Sequence, residues 1–512
     1  MTRRLPGLFS LTVVAAALVL LVGGCGGFFG DDEPAAQPSP VPAPSEAGAD
    51  LTRYYEQTLN WQGCGDGFEC DDIEVPLDYD DPAAESIALA LVRLPARDGS
   101  ARVGSLLVNP GGPGGSGVAY ARQAETAFTE PLLDAYDIIG FDPRGVAAST
   151  PVDCLTDHEL DIYVASEATP DDIIEIQGTT QQAKTFVDGC AAKSARLLPH
   201  VGTTDAARDM DIIRALVGDE QLNYLGASYG TYLGAVYAEL FPDRVGRLVL
   251  DGALSTTADI VETGRQQALA FEVALDAFLA DCAEQDDCPL PNDPAEARAE
   301  MQQLLDELDA EPLDVGSRQL TEALGFLGIL VTLYDDLFWP ALRAGLGAAF
   351  EGEGGILLEL ADIYLDRQPD GTYEGNQNES NPAVSCYDRP LTRSVTEIAQ
   401  DADRFSAESP FFGEWLGWGS LSCALWPADA RGSAPVALRA TGAAAILVIG
   451  TVRDPATPYV WAVEMAEQLE SGVLLTFDGD GHTAYNRGSD CIDSTVEDYL
   501  VSGTIPEDGR RC

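Results

Sequence analysis

Residues 222–252 read LNYLGASYGTYLGAVYAELFPDRVGRLVLDG. The apolar run LNYL, residues 222–225, predicts a short buried strand. GASYG, residues 226–230, follows it as a turn, with a glycine two places on either side of Ser228. Small and apolar residues over 231–241 then predict a helix that stops at Pro242. VGRLVL, residues 245–250, predicts the next strand. A serine on a tight strand-to-helix turn needs small neighbours at those two positions, because the turn crowds the backbone there. The pentapeptide G-x-S-x-G carries little weight alone. Its place between strand and helix makes Ser228 a candidate nucleophile.

The same reading extends outward. Residues 87–94, 104–108, 136–141, 443–449 and 472–477 are further short apolar runs. Strands apolar on both faces, separated by helical stretches such as 205–217, predict an α/β fold with a mainly parallel sheet. Between 257 and 425 strand signals nearly vanish and long helical stretches take over. That segment reads as a large, mostly helical cap inserted between core strands, beside the carboxyl ends where a pocket forms. The expected organisation is 1–25 signal peptide, 26–50 tether, 51–256 first part of the core, 257–425 cap and 426–512 second part of the core.

A nucleophilic serine needs a base, and the chain has three histidines. His482 follows GVLLTF in the loop DGDGHTAYN, after the last predicted strand and C-terminal to Ser228. His158 and His200 lie in contexts that read as surface or structural. The base needs an acid to fix its tautomer. Asp454, in GTVRDPATP just past the strand at 443–449, is the candidate; Asp251 is its rival, and Asp478 and Asp480 are too near His482 in sequence. Developing negative charge needs backbone donors. Tyr229, directly after the serine, supplies one. The loop NPGGPGGSG, residues 109–117, supplies the other, from Gly112 first and Gly111 second, since Pro110 and Pro113 carry no N–H.

The chain has 512 residues and a net charge of −55, with Lys184 and Lys193 its only lysines. Such acidity repels phosphate backbones and argues against nucleic-acid binding. Arg3 and Arg4, an apolar run from Leu8 to Val22, and Val22-Gly23-Gly24-Cys25 read as a signal peptide ending in a lipobox-like sequence, with Cys25 the candidate lipid anchor; the alternatives are a secreted chain cleaved nearby and an uncleaved anchor. Residues 31–50, rich in Pro and Ala, read as an extended tether. The lipid would be the chain's one membrane attachment. An exported chain oxidises its thiols, and ten cysteines remain beside Cys25. Their spacing suggests neighbour pairs: Cys64–Cys70, Cys154–Cys190, Cys282–Cys288, Cys386–Cys423 and Cys491–Cys512. No metal-ligand spacing or phosphate loop occurs, so no metal or organic cofactor is expected.

VNPGGPGGSG, YDIIGFDPRGVAAS, the 222–252 stretch, CALWP, GTVRDPATPY and GHTAYN, in this order, resemble the actinobacterial tripeptidyl aminopeptidases. These are serine exopeptidases of the α/β-hydrolase fold, related to the prolyl iminopeptidases. The resemblance covers residues 60–512 and implies Ser228 as nucleophile, Asp454 as acid and His482 as base. Pro110 stands where prolyl iminopeptidases usually carry histidine, which favours the tripeptidyl branch. The implied substrates are free peptide or protein N-termini, cleaved by a monomer. A carboxylate in the cap would hold the substrate ammonium about 10 Å from Ser228, three extended residues away; Glu262, Asp335 and Asp336 are candidates. The alternatives are an esterase or lipase of the same fold, and a catalytically silent surface-binding lipoprotein.

Overall fold

The computed structural model describes residues 40–44 and 48–512. The signal peptide, Cys25 and most of the tether lie outside the described residues. In chain order the strands are β1 (Gln62–Gly63), β2 (Glu69–Pro76), β3 (Ser86–Leu94), β4 (Gly104–Asn109), β5 (Tyr136–Phe141), β6 (Leu222–Ala227), β7 (Val245–Asp251), β8 (Leu313–Val315), β9 (Arg318–Leu320), β10 (Ile446–Arg453), β11 (Gly472–Asp480) and β12 (Arg510–Arg511). Ten of them form one sheet in the order β1-β2-β3-β5-β4-β6-β7-β10-β11-β12. The pairs from β5 through to β12 are parallel, and β1, β2 and β3 join antiparallel at one edge. β8 and β9 make a separate hairpin within the cap. This is the α/β-hydrolase fold, with its antiparallel entry strands and parallel remainder.

The central strands are buried because both faces carry helices. Val108, Leu248, Leu250, Val448 and Ile449 are fully inaccessible. Helix α1 (Thr203–Leu216) and helix α2 (Tyr229–Leu240) cover one face. Their apolar residues share a core with Leu107, Ile139, Leu248 and Val448. Asp490–Ser502 packs on the other face, where Ile492, Val496 and Leu500 meet Val108, Val249 and Ile449.

A separate apolar core lies in the inserted region. It includes Phe271 and Phe278 of Ile260–Cys282, Leu327 and Leu330 of helix α3 (Glu322–Thr332), and Leu357 and Leu360 of Gly355–Leu365. The last part of the insertion turns back. Helix α4 (Gln377–Asp388) contributes Ala383, Val384 and Cys386 to the core beneath the sheet. The stretch 257–425 therefore feeds both cores.

All five neighbour pairings of cysteine are present: 64 with 70, 154 with 190, 282 with 288, 386 with 423, and 491 with 512. Among the described residues no helix is long and apolar enough to cross a membrane.

Candidate active site

β6 delivers Ser228 to the carboxyl edge of the sheet. Its backbone sits at φ 56° and ψ −125°, a left-handed conformation that costs a non-glycine residue on the order of 1–3 kcal/mol. The neighbouring strand holds it there: the Ser228 N–H donates to the Asp251 carbonyl at 2.9 Å. Gly226 admits no side chain, because a Cβ there would stand 2.4 Å from the Gly230 carbonyl. Helix α2 begins at Tyr229, and Thr231 Oγ1 donates back to the Ser228 carbonyl at 2.6 Å.

β10 and β11 bring the other two candidates together. Nδ1 of His482 lies 2.9 Å from both carboxylate oxygens of Asp454. Asp454 is buried and surrounded by donors. Ala456 N and Thr457 N reach Oδ1 at 2.9 and 2.8 Å. Thr457 Oγ1 and Thr483 N reach Oδ2 at 2.8 and 3.2 Å. Every neighbour of this carboxylate is thus a donor, and the carboxylate in turn holds the imidazole proton on Nδ1. The ring reaches the serine's side of the sheet. Its Cε1 is 3.2 Å from where a Cβ on Gly252 would stand, and Gly252 adjoins the residue that holds the Ser228 N–H.

The rival carboxylates have other partners. Asp251 accepts from Ala484 N and Tyr485 N at 3.0 and 2.9 Å, so it fixes the loop after the histidine rather than the ring. Burial raises its pKa. Asp480 pairs with Arg453 at 2.6 Å, and Asp478 faces Arg453 and Arg511. His158 is exposed, and the His200 carbonyl accepts from the buried Arg144.

Gly111 lies directly on the turn: a Cβ there would be 2.8 Å from Ser228 Cβ and 2.9 Å from the Tyr229 nitrogen. Its own N–H is engaged by Asn109 Oδ1 at 2.9 Å. The next amide along the loop is that of Gly112, the first candidate there, and the Tyr229 N–H stands at the start of α2.

Sequence reading missed the cap's part in the site. Tyr334, just past α3, accepts the His482 N–H on its carbonyl at 2.8 Å and sets its ring edge-on to the imidazole, centroids 5.4 Å apart. Arg487 donates to that same carbonyl at 3.0 Å and pairs with Asp335 at 3.0 Å. Nothing in the sequence marks Tyr334, since its contact spans about 150 residues. Thr457 had a signal: Asp454-Pro-Ala-Thr is the pattern of a carboxylate capping its own following turn. Glu262 is occupied by Arg265 and Gln266. Asp335 and Asp336 follow directly on Tyr334.

Tyr334 also meets Tyr364, centroids 6.2 Å apart. Tyr364 lines a cavity of about 270 Å³ between the cap and residues 163–183, whose walls include Tyr163, Glu167, Leu327, Trp415 and Trp418. Glu167, Asp309 and Glu322 place carboxylate oxygens within 4.8 Å of one another. Burial pushes Glu322 up to about 8, and Thr169 donates to both its oxygens. Glu322 starts α3 and Tyr334 follows its end, so about 16 Å of helix separates this acidic group from the residue touching His482.

The description "TAP-like protein" belongs to the family model that matches residues 409–512. The serine protease Hip1 of Mycobacterium tuberculosis is 38% identical over 462 residues, covering 87% of either chain. The carboxylesterase B of the same species is 36% identical, covering 100% of this chain and 99% of its own. The tripeptidyl aminopeptidase of Streptomyces coelicolor is 31% identical, covering 87% of this chain and 84% of its own. With the sheet order, the strained serine turn and these matches together, the chain belongs to the TAP-like serine peptidases of the α/β-hydrolase superfamily.

Proposed function

We propose that this peptidase is an exported aminopeptidase that releases short peptides, chiefly tripeptides, from free N-termini through Ser228, His482 and Asp454. The observation that carries the reading is the double contact of His482 Nδ1 with the buried Asp454, beside a serine on a strained turn. With Nδ1–H committed to Asp454, Nε2 is the ring's basic nitrogen. It takes the Ser228 proton as Oγ attacks the scissile carbonyl carbon. The C=O electrons move onto oxygen, and the amides of Gly112 and Tyr229 stabilise that charge. Collapse of the tetrahedral species expels the amine, which leaves with the proton from Nε2. Water, deprotonated by the same nitrogen, then hydrolyses the acyl-enzyme.

The substrate ammonium belongs near Asp336, two residues from Tyr334: Glu262 is taken by Arg265 and Asp335 by Arg487. The Glu322 group lies at the other end of α3, about 16 Å of helix from Tyr334. Cys25 serves as a lipid anchor on the outer face of the cell membrane, and five disulfides suit that compartment. The test is turnover of a free-amino tripeptide anilide against its amino-blocked counterpart. An aminopeptidase cleaves the first and spares the second; equal rates on both would sink the proposal. An esterase is the second reading, favoured by the full-length match to a protein named carboxylesterase B. It predicts faster cleavage of a p-nitrophenyl ester than of any anilide.

A further inference from the structure

Asp388, the last residue of α4, is a buried carboxylate that the mechanism above does not use. It has no ion pair among the described residues. Its neighbour Arg389 turns away to the Ser255 and Ala258 carbonyls, with its guanidinium over the Tyr232 ring. The hydrogen bonds to the Asp388 carboxylate come from one residue, Thr203 at the start of α1: its N–H at 3.0 Å and its hydroxyl. The Thr203 hydroxyl donates to the carboxylate, so its oxygen must accept from its remaining neighbour. That neighbour is the Tyr229 phenol, 2.5 Å away. The chain therefore runs from Tyr229 O–H to Thr203 O–H to the Asp388 carboxylate, three side chains at most 9% exposed.

A lone carboxylate in such a place costs more than an apolar residue of its size. What it holds is the side chain of the residue after Ser228, whose backbone N–H is the second donor to the developing oxyanion. The same helix touches the other donor's loop. A Cβ on Gly114 would stand 2.2 Å from Ser380 Oγ, and Ser380 is fully buried on α4. The Cys386–Cys423 disulfide ties α4 down two residues before Asp388. One helix at the end of the cap thus abuts both sides of the oxyanion hole.

We propose that Asp388 and Thr203 are positioning residues, which set the Tyr229 amide for the oxyanion by gripping its phenol. The proposal rests on the serine-hydrolase reading of Ser228 and Tyr229, and the test separates the two. Wild type and variants are treated with a fluorophosphonate, and kcat and KM are measured on a free-amino tripeptide anilide. Loss of an entire oxyanion donor costs about 100- to 1000-fold in kcat, so loosening one costs about 10-fold. Tyr229→Phe, which keeps the ring and the amide, and Thr203→Val should each lower kcat about 10-fold and leave KM within about twofold. The double variant should be no slower than either single one, because both cut the same chain. Thr203→Ser, which keeps the hydroxyl, should restore kcat. Full kcat in Tyr229→Phe, a rise in KM in place of the fall in kcat, or Thr203→Ser as slow as Thr203→Val would each overturn the proposal. Failure of the wild type to react with the fluorophosphonate would instead overturn the serine-hydrolase reading beneath it. Should Thr203→Val not fold, Tyr229→Phe decides alone.

Discussion

Asp454→Asn is the substitution whose effect the site geometry determines most closely. The carboxylate accepts from Ala456 N, Thr457 N, Thr457 Oγ1, Thr483 N and His482 Nδ1, and each of these five is a donor. An asparagine keeps one accepting oxygen and presents an NH2 to a ring of donors. The three amides cannot accept from that NH2; the Thr457 hydroxyl oxygen and Nδ1 can, and Nδ1, 2.9 Å from both carboxylate oxygens, accepts once it has lost its proton. The imidazole then carries its proton on Nε2, and Nε2 cannot take one from Ser228. A wrong tautomer of this kind costs about 10⁴-fold in kcat, or about 5 kcal/mol of barrier. Asp251→Asn is the matched control. It loosens two amides of the loop after His482 but leaves Nδ1 with its partner, so its loss should stay within about 100-fold. The assay is kcat on a tripeptide anilide for both variants, with circular dichroism to show that each is folded. If Asp251→Asn is the slower enzyme, Asp454 is not the acid and the tautomer argument fails.

Ser228→Ala should lower turnover about a million-fold with an unchanged melting temperature; retention of even one hundredth of the activity would remove Ser228 as nucleophile. Glu322 has a folded pKa of about 8, above its unfolded value, so its proton stabilises the fold fully below about pH 4.5. That contribution is lost as pH rises toward 8. Glu322→Gln should therefore raise the melting temperature by about 2 °C more at pH 8.5 than at pH 5, and an equal difference at both pH values would refute the assignment. Cys25→Ser should abolish incorporation of radiolabelled palmitate and release the protein from the membrane fraction; label on the variant would exclude a lipid at that residue.

Six of the seven strands read from the sequence were legible because central parallel strands are apolar on both faces, as in YDIIGF at β5 and GVLLTF at the start of β11; β3, antiparallel to both neighbours, showed as an alternating run that buries Ile87, Leu89 and Leu91. β2 was not. Its sequence ECDDIEVP is acidic, and only Ile73, Val75 and Pro76 of its eight residues are buried, as befits a strand near the antiparallel edge. β10 begins at Ile446 rather than 443, since Ala443–Ala445 precede the register shared with β7 and β11, and it runs on to Arg453. β1 and β12 have two residues each, too few to form a pattern. The candidate triad was legible because each member sits at a strand end with a recognisable local sequence. Tyr334, Thr203 and Asp388 were not, because their roles come from contacts between the cap and the core across some 150 to 185 residues. No local period encodes such a contact.

The bond from His482 N–H to the Tyr334 carbonyl bears on how far this insertion can be exchanged. A cap that only shaded the cleft could be deleted or swapped for that of a relative, leaving the chemistry untouched. Here the His482 N–H would lose its acceptor, and Arg487 would lose one of its own. Chimaeras that graft a foreign cap should therefore join downstream of position 334 or upstream of 322 with an equivalent carbonyl supplied. Sequence variation can then accumulate at the far end of α3, around Glu167, Glu322 and Trp415, where no contact with His482 is found among the described residues.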